Sequence, residues 1–453
     1  MQTSAKYEVV IVGGRPAGAT LAARLGARGV RVLVVDRAKF PSSPGVPSSP
    51  VLYPSGLRLL DELGLDEAQY ASADARMRHV TFSFDPWWAT TMPLASTHGR
   101  DYALGIERPQ FDRTLWEHLA RFPSVERREG FSVLELLRDA SGRVVGLVGA
   151  AAGGPEERIE AGCVIGADGR YSTVARLAGA PFVEERNEHV STVYFATWEG
   201  VAATEDGFRG AHVCTNGRGL NVLFFAAPGG AFTVCTHARA DRADVRGDVQ
   251  RAYVETVNSL PSAARRLTHA RQVSRLSGIK RIGNGYRQAA GAGWALVGDA
   301  LHMKDPVDGQ GIYDALLEGK LLDEALARAR AGTPWDEAMT RYADEVRSAT
   351  RPMFLSTTDR LRRELYDEPP TVVIRTVLRW LMTDPAYQTS FSRYLSRDVA
   401  PDRWLTGGLV AGAVMRGLWR DLRGTASPSV AGAVMRGLWR DLRGTARPAP
   451  APG

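Results

Sequence analysis

The chain has 453 residues, of which 44% are hydrophobic and 24% charged; this is enough for two or three domains with buried cores and excludes fibrous and intrinsically disordered proteins. The formal net charge of +7 is spread along the whole chain without an aromatic and basic module, so we expect no nucleic-acid partner. The three cysteines have no CxxC spacing, which favours a location in the reducing cytoplasm and predicts no metal site. The sequence has no charged leader and no apolar run near ~20 residues, so we expect neither a signal peptide nor stable membrane insertion.

The first predicted elements are a strand over the apolar run Tyr7–Val12, a tight turn and a helix over the alanine-rich stretch that follows. The turn carries GGRPAG at residues 13–18, a pattern typical of a dinucleotide-binding fold. Gly13 allows the tight turn, and the helix N-terminus offers N–H groups and the positive end of its dipole to a pyrophosphate. The candidate cofactor contacts in this segment are Gly13, Gly14, Arg15, Pro16 and Ala17.

A second predicted strand ends in Asp36, where the dinucleotide-binding pattern needs an acid for the adenosine ribose hydroxyls. Arg37, next to it, is a further candidate contact. Arg15 stands where the pattern has its middle glycine, at which the backbone must approach the phosphates. Two interpretations are open: a surface arginine that the turn tolerates, or a guanidinium that touches or covers the cofactor.

Two inserts, residues 76–98 and 181–279, contain alternating or aromatic strand-like runs and predict one antiparallel sheet that covers an active site. Aromatic residues are frequent in both inserts, and Tyr194, Trp198 and Phe224 are the candidate pocket residues. Such side chains suit a flat aromatic or polycyclic substrate, but the core of a sheet would use them equally well.

Two further motifs follow predicted strands: GADGRYS at residues 166–172 and GDALHMKDPVDGQG at residues 298–311. Together with GGRPAG, these motifs match the pattern of the group A flavoprotein monooxygenases, the family of para-hydroxybenzoate hydroxylase. The sequence resembles that family over most of the chain. The resemblance implies an α/β fold, with a discontinuous Rossmann-like FAD-binding domain, an antiparallel β-sheet substrate domain and a C-terminal helical region. We place the FAD-binding domain at residues 1–75, 100–180 and 280–345. The substrate domain comprises residues 76–98 and 181–279, and the C-terminal helical region comprises residues 346–426.

The resemblance also implies roles for individual residues. Asp299 would hold a ribityl hydroxyl, and Asp168 would brace the FAD in a motif also implicated in NAD(P)H binding, although the usual closing arginine of that motif is Ala175 here. Arg108 would lie near the pyrophosphate, or else is a surface charge that begins a helix, and the backbone of Val133 would pass the adenine. The loop along the isoalloxazine ring would comprise Gly298, Pro306, Gly309, Gln310, Gly311 and Ile312.

The implied activity is that of an FAD-dependent monooxygenase. NADPH or NADH would reduce the flavin, which would trap dioxygen as a hydroperoxide and then hydroxylate or epoxidise an apolar, aromatic or polycyclic small molecule. The N-terminus of a helix beginning at Gly311 would stabilise the anionic reduced ring. The partners are therefore a small-molecule substrate and dioxygen, and the sequence predicts no particular oligomeric state.

Lys304, one of five lysines in the chain, is the candidate catalytic residue because it stands in the loop that would edge the flavin. A cation there would depress the pKa of a phenol or help to hold the reduced flavin anion. A solvated loop lysine is the alternative interpretation.

An identical 17-residue segment occupies residues 410–426 and 430–446, followed by a Pro-Ala tail that we expect to be disordered. Two copies do not make a solenoid. As a helix, each copy is basic and amphipathic, a pattern typical of membrane or partner binding; we favour instead a duplication within residues 427–453 that has no separate function.

Two other reactions share this fold. A flavin-dependent halogenase is disfavoured because no W-x-W-x-I-P run occurs and the strand in question reads YFATWEG. A double-bond reductase resembling the geranylgeranyl reductases is not excluded by the cofactor motifs.

Overall fold

The computed structural model of the chain describes residues 6–45, 48–243 and 247–424. Its helices, in chain order, are α1 (Pro16–Ala27), α2 (Pro54–Asp61), α3 (Arg108–His118), α4 (Thr173–Ala178), α5 (Ala240–Ala243), α6 (Val249–Asn258), α7 (Pro261–Leu267), α8 (Gly311–Arg330), α9 (Trp335–Leu361), α10 (Thr371–Val373), α11 (Arg379–Met382), α12 (Pro385–Leu395) and α13 (Gly407–Gly424).

The strands, in chain order, are β1 (Tyr7–Val12), β2 (Val32–Asp36), β3 (Val51–Leu52), β4 (Arg76–Met77), β5 (His79–Phe84), β6 (Trp88–Pro93), β7 (Ala103–Gly105), β8 (Val125–Glu129), β9 (Phe131–Arg138), β10 (Val144–Ala151), β11 (Glu156–Gly166), β12 (Phe182–Glu185), β13 (Ser191–Glu199), β14 (Ala211–Thr215), β15 (Leu220–Ala226), β16 (Phe232–Arg239), β17 (Arg271–Gln272), β18 (Ser277–Ile279), β19 (Gly285–Arg287), β20 (Ala290–Gly291), β21 (Trp294–Leu296) and β22 (His302–Met303).

The first large sheet has the strand order β20-β21-β11-β1-β2-β8, with β10 and β9 attached through β11. Its centre is parallel: β1 pairs with β2 and β11, and β11 pairs with β21. The strands β1 and β2 are almost wholly buried apolar runs, as expected for parallel strands covered on both faces. Helix α1 packs on this sheet and on α8, which brings residues 16–27 and 311–330 together.

The second large sheet, with the order β17-β13-β16-β15-β14-β5-β6, is the roof sheet. It is antiparallel except for β14 and β5, which pair in parallel. This exception to the expected antiparallel sheet arises because β5 and β14 belong to the two separate inserts and are joined by a long crossover and not by a hairpin. The predicted fold class is confirmed, and the strands of each large sheet come from the predicted segments; the domain boundaries themselves stay a prediction.

The C-terminal region is helical, as expected, and residue 346, where we placed its start, falls inside a helix. Helix α9 runs continuously over Trp335–Leu361 and so crosses that position, because its buried residues pack first against the FAD-binding side and then against the roof-sheet side. Helices α11, α12 and α13 pack together beyond it. In the described part of the chain, no helix is long and apolar enough to cross a membrane. Residues 427–453, with the second copy of the repeat, lie outside the described residues.

His212 on β14 makes the stability of the folded protein depend on pH. It is 3% exposed, with Nε2 2.8 Å from the hydroxyl of Ser83, and burial together with the charge of Arg266 lowers its pKa from 6.5 to about 3. Between these two values the unfolded chain binds a proton that the folded chain does not. The contribution of His212 to stability is therefore fully present above pH 6.5 and is lost as the pH drops towards 3.

We predict that His212→Gln makes the free energy of unfolding less dependent on pH in this window, by about 1.4 kcal/mol per pH unit. Denaturant unfolding between pH 3 and 7 measures the slope. The matched control His269→Gln, at an exposed position, should leave the slope unchanged. An unaltered slope in His212→Gln would show that His212 does not titrate as stated.

Candidate functional site

The carboxyl ends of three parallel strands lie side by side. Val12 of β1 is paired with Gly166 of β11, and Gly166 is paired with Leu296 of β21. The three sequence motifs begin at Gly13, Gly166 and Gly298, each within two residues of this level, so their loops meet at one edge of the sheet and line a single cleft. The site residues predicted from sequence that line it are Gly13, Arg15, Pro16, Ala17, Asp36, Arg37, Arg108, Val133, Asp168, Gly298, Asp299, Lys304, Pro306, Gly309, Gly311 and Ile312.

The first loop is shaped by a close backbone approach. Gly13 has a φ of +105°, and a Cβ atom on it would lie 2.4 Å from the carbonyl oxygen of Ala167. Gly14 faces away from the cleft, since a Cβ there would lie 2.3 Å from the ring of Trp116. Its N–H instead donates to Asp36 Oδ2 at 2.8 Å. Gly14 therefore positions Asp36 on the cleft wall.

Arg15 does not extend freely into solvent. Its guanidinium is ion-paired with Asp112, donates to the carbonyl of Ser42 at 3.1 Å and lies 5.3 Å from the centre of the Phe40 ring. Arg108 bonds both oxygens of the same carboxylate, at 3.1 and 3.2 Å. Asp112 is fully buried, so one carboxylate holds two guanidinium groups on the cleft wall. The sequence analysis missed Asp112, although it stands four residues after Arg108, a spacing that pairs side chains on a helix.

The second loop is stabilised by Asp168, which caps α4. Its carboxylate accepts bonds from the hydroxyl of Ser172 at 2.5 Å and from the N–H of Thr173 at 2.6 Å. Next to it, Arg170 donates to the carbonyl of Lys304 at 3.0 Å and so ties the second loop to the third. Arg170 also lies in the cleft, with Nη2 3.9 Å from Asp299 Oδ2. The sequence analysis missed Arg170 because it assigned a role only to the aspartate of this motif, Asp168.

Asp299 is the cleft carboxylate best placed to accept a ligand hydroxyl. Its side chain is 41% exposed, and Arg170 approaches it to 3.9 Å. Within the described part of the chain, its carboxylate accepts no hydrogen bond. The preceding residue, Gly298, has a φ of +65° and donates its N–H to Glu318 Oε2 at 2.7 Å. The turn therefore directs the side chain of Asp299 into the cleft while its backbone is fixed from below.

Lys304 lines the cleft but is ion-paired with Asp314, and the other oxygen of that carboxylate accepts from Arg397 Nη2 at 2.7 Å. Burial lowers the pKa of Lys304. Burial acts to raise the pKa of Asp314, but the charges of Lys304 and Arg397 hold it below its ordinary value. The alternative interpretation, a solvated loop lysine, does not agree with the structure, because Lys304 is buried and paired with Asp314.

Helix α8 begins at Gly311, as predicted. A Cβ on Gly311 would meet nothing within 4 Å, so this first helical residue borders open space in the cleft. Gln310 does not line the cleft, because its side chain donates to the carbonyl of Leu395 at 2.7 Å and accepts from Arg397 at 3.0 Å. The first N–H groups of α8 have no partner within the helix and carry the positive end of its dipole.

A buried pair under the third loop was not predicted. Glu318 is fully buried, with Oε1 3.2 Å from His302 Nδ1, and the ring of His302 stacks on Tyr286 at 4.1 Å. Burial lowers the pKa of His302 to about 3 and raises that of Glu318 well above its usual range. Both effects favour a pair without net charge beneath the loop.

The candidate pocket residues on the roof sheet are not brought to the cleft. Trp198 donates to the hydroxyl of Tyr253 on α6 at 3.0 Å, and Phe224 packs against the guanidinium of Arg266 on α7. Tyr194 shares its strand face with Trp198, since the two are four residues apart on β13. All three therefore belong to the same face of the sheet, where Trp198 and Phe224 are buried in the core and Tyr194 packs partly buried against it.

The opposite face of the roof sheet meets the third loop. His237 Nε2 lies 3.0 Å from Asp305 Oδ1, and Ser191 donates to the other oxygen. Phe195 lies on this face, two pairs along from His237. The neighbouring strands contribute Phe82, Leu223 and Phe225 to the same face by their register. This face is mainly apolar, and Phe82 packs there against Phe391 of α12, with the ring centres 6.0 Å apart.

The residues present suit a flavin dinucleotide. Two guanidinium groups and a helix N-terminus supply positive charge for a pyrophosphate, and Asp36 and Asp299 supply acceptors for sugar hydroxyls. The backbone approach at Gly13 leaves no room for a side chain between the first two loops. Arg15 is compatible with this arrangement because its side chain is drawn towards Asp112.

A family model described as an FAD binding domain matches residues 6–354. The chain belongs to this FAD-binding family, that of the group A flavin monooxygenases. One relative, the 12-dehydrotetracycline 5-monooxygenase/anhydrotetracycline 6-monooxygenase of Streptomyces rimosus subsp. rimosus, is 28% identical over 86% of this chain and 75% of its own length. The menaquinone reductase of Mycolicibacterium smegmatis is 26% identical over 71% of this chain and 76% of its own.

The 3-(3-hydroxy-phenyl)propionate/3-hydroxycinnamic acid hydroxylases of Paraburkholderia xenovorans and Burkholderia vietnamiensis are 30% and 26% identical over 39% and 76% of this chain. The matched part spans only 28% and 54% of their own lengths. Among solved structures, the flavin-dependent brominase Bmp2 superposes with a TM-score of 0.71 over 90% of this chain and 98% of its own, at 17% identity. That similarity shows a shared fold.

We predict that Arg15→Met weakens FAD binding by about tenfold to hundredfold, the value of one or two charge-assisted hydrogen bonds. Titration of the apoprotein with FAD, followed by flavin fluorescence, measures the dissociation constant. The control Arg113→Met removes an exposed arginine of α3 that is paired with Glu117, and should have no effect. Equal affinities for Arg15→Met and the unaltered protein would assign Arg15 to the turn alone.

Proposed function

We propose that the protein is an FAD-dependent monooxygenase that uses NADPH or NADH and dioxygen to hydroxylate or epoxidise an apolar, aromatic or polycyclic small molecule. The observation that carries the proposal is the convergence of the three motif loops on one cleft, with the apolar face of the roof sheet above its third loop. The related tetracycline monooxygenase, whose name describes a polycyclic substrate, supports the substrate class.

Each wall of the cleft has a proposed task in binding FAD. Arg15 and Arg108 neutralise the pyrophosphate, and Asp36 accepts bonds from the adenosine ribose. Val133 passes its backbone along the adenine, and Asp299 accepts a bond from the ribityl chain. When bound, FAD supplies electron transfer from the nicotinamide cofactor and the activation of dioxygen. All other tasks fall to the residues of this chain.

The third loop determines the electrostatics at the reacting end of the cleft. The N-terminus of α8 stabilises negative charge that develops beside Gly311. Lys304 acts there as a buried cation whose charge is shared with Asp314. Because burial lowers its pKa, Lys304 gives up a proton more readily than a lysine in water, which suits it to exchange a proton with a phenolic substrate.

The roof sheet excludes water and contacts the substrate. The face that meets Asp305 carries Phe82, Phe195 and Phe225, which offer apolar contact area and no charge. His237 adds a polar group to this face and is fixed by its bond to Asp305. A flat, apolar substrate with one or two oxygen functions fits this combination.

A second candidate function is reduction of a carbon–carbon double bond. It is favoured by the similarity to menaquinone reductase, which extends over 71% of this chain. A halogenase is the less favoured alternative, supported by the similarity in fold to the brominase. The reaction products distinguish the three: an added oxygen atom, two added hydrogens or a carbon–halogen bond.

We predict that a productive polycyclic phenol accelerates NADPH or NADH oxidation and that the product gains one atom from ¹⁸O-labelled dioxygen, detected by mass spectrometry. Slow NAD(P)H oxidation with release of hydrogen peroxide is expected when no substrate is present. Formation of a saturated product under anaerobic conditions would instead establish the reductase.

We predict further that the purified protein is yellow, with about one FAD per chain bound without a covalent link, because the three motifs contact the whole cofactor. Asp299→Ala should lose FAD during gel filtration, whereas Asp66→Ala, which removes a carboxylate on the surface, should retain it. A colourless protein that cannot be reconstituted with FAD would refute the proposed function. Full occupancy in Asp299→Ala would remove only this residue from the site.

A further inference from the structure

Helix α13 is held against the body of the protein by one of its faces. Ala413 is fully buried, and Gly417 lies against the side chain of Trp380, since a Cβ on Gly417 would be 2.2 Å from Cγ of that tryptophan. One turn further along, Asp421 accepts a hydrogen bond from Trp380 Nε1 at 2.8 Å and is ion-paired with Arg379. Asp421 is the only acidic residue in the sequence of α13, and its charge is therefore neutralised on the inner face of the helix.

Polar bonds fix the rotation of α13 about its own axis. Arg416 bonds the carboxylate of Asp384 at 2.7 and 3.0 Å, and Arg420 donates to the hydroxyl of Thr383 at 2.8 Å. Both partners directly precede α12. Which side chains of α13 point away from the body is thus decided by these bonds together with the contact to the indole.

The outward side of α13 carries large apolar side chains. Met415 is 64% exposed, Trp419 is 56% exposed and Leu422 is 36% exposed. They are spaced by four and three residues, so they lie on one face of the helix, and we call them the apolar stripe. Val414 and Leu418, both half-buried, border the stripe along one side. An exposed apolar patch of this kind marks an interaction surface.

A row of arginines borders the other side of the apolar stripe. Arg416, Arg420 and Arg423 each follow a residue of the stripe by one position, which is about 100° around the helix, and we call them the arginine ridge. Asp384 neutralises Arg416, whereas Arg420 is bonded to an uncharged threonine and Arg423 lies 4.8 Å from the centre of the Trp419 ring. No carboxylate in the described part of the chain pairs with these last two arginines. The outward side of α13 is therefore apolar and cationic.

We propose that the apolar stripe and the arginine ridge of α13 dock on a lipid bilayer that carries anionic headgroups. The stripe enters the boundary between headgroups and acyl chains, where an indole buries its ring and keeps its N–H in contact with water. Arg420 and Arg423 then meet the headgroup phosphates. The helix lies along the surface, in agreement with the finding that no helix in the described part of the chain could cross a membrane.

Charge complementarity favours a bilayer over a second copy of the chain. In a two-fold dimer the same surface meets itself, so the uncompensated arginines of the two copies would come together and repel. Anionic headgroups instead supply the negative charge that the ridge lacks. The proposal does not rest on the proposed function, since no residue of α13 lines the cleft.

Sedimentation of the full chain with lipid vesicles tests the proposal. One set of vesicles contains phosphatidylcholine alone, and the other contains phosphatidylcholine with phosphatidylglycerol. The protein should partition about thirtyfold more strongly into the anionic vesicles, because each of two arginines near an anionic surface contributes about fivefold. Partitioning should weaken as the salt concentration rises.

Substitutions on the two features separate their contributions. Trp419→Ser should lower partitioning into anionic vesicles about tenfold, because one large apolar side chain is no longer buried. Arg420→Gln combined with Arg423→Gln should remove the preference for phosphatidylglycerol. Val183→Ser, at a 55% exposed position of β12, and Arg275→Gln, at an exposed position between β17 and β18, are the matched controls and should leave partitioning unchanged.

Three outcomes would overturn the proposal. The first is the absence of partitioning into the anionic vesicles. The second is full partitioning of the Trp419→Ser and double arginine variants, which would place the lipid contact on another part of the chain. The third is a doubled mass in solution without lipid that returns to a single chain in Trp419→Ser, which would assign the apolar stripe to a second copy of the chain.

Discussion

The parallel pairing of β1 with β11, and of β11 with β21, is the constraint on which the site depends. It sets Val12, Gly166 and Leu296 at the same level, so that three loops far apart in sequence begin side by side. The contact is close enough to demand glycine: a side chain at Gly13 would collide with the backbone after β11. The same register leaves the first turn of α1 and of α8 facing one cleft, with two helix dipoles directed towards it.

Charge in the cleft is organised by a few buried carboxylates. Asp112 holds Arg15 and Arg108, while Asp314 holds Lys304 and Arg397. Buried ion pairs contribute little net stability, because the cost of removing the charges from water offsets their attraction. Their effect here is to fix where the cations stand. An anionic ligand then meets guanidinium groups that are already oriented.

The third loop also connects the cleft to the rest of the molecule. Asp305 is bonded to His237 of the roof sheet, and Asp308 accepts bonds from Thr357 and Arg360 of α9. Gln310 reaches the end of α12. The third loop is thus held from three directions, by the roof sheet, by α9 and by the end of α12. The helical C-terminal region thereby supports the cleft without lining it.

The sequence by itself determined the FAD-binding half of the fold and the cofactor loops, because these rest on local chemistry: glycines at turns, an acid after a strand, and strand, turn and helix in order. It could not decide which face of β13 or β15 meets the cleft. Helices α6 and α7 cover the outer face, so both faces are apolar and alternation carries no information; Trp198 and Phe224 therefore fill the core. Nor could it assign Lys304 a partner, or place Arg397 beside Asp314, 83 positions away. Such pairs depend on how α8, the third loop and the end of α12 pack in space, and only the tertiary structure decides that.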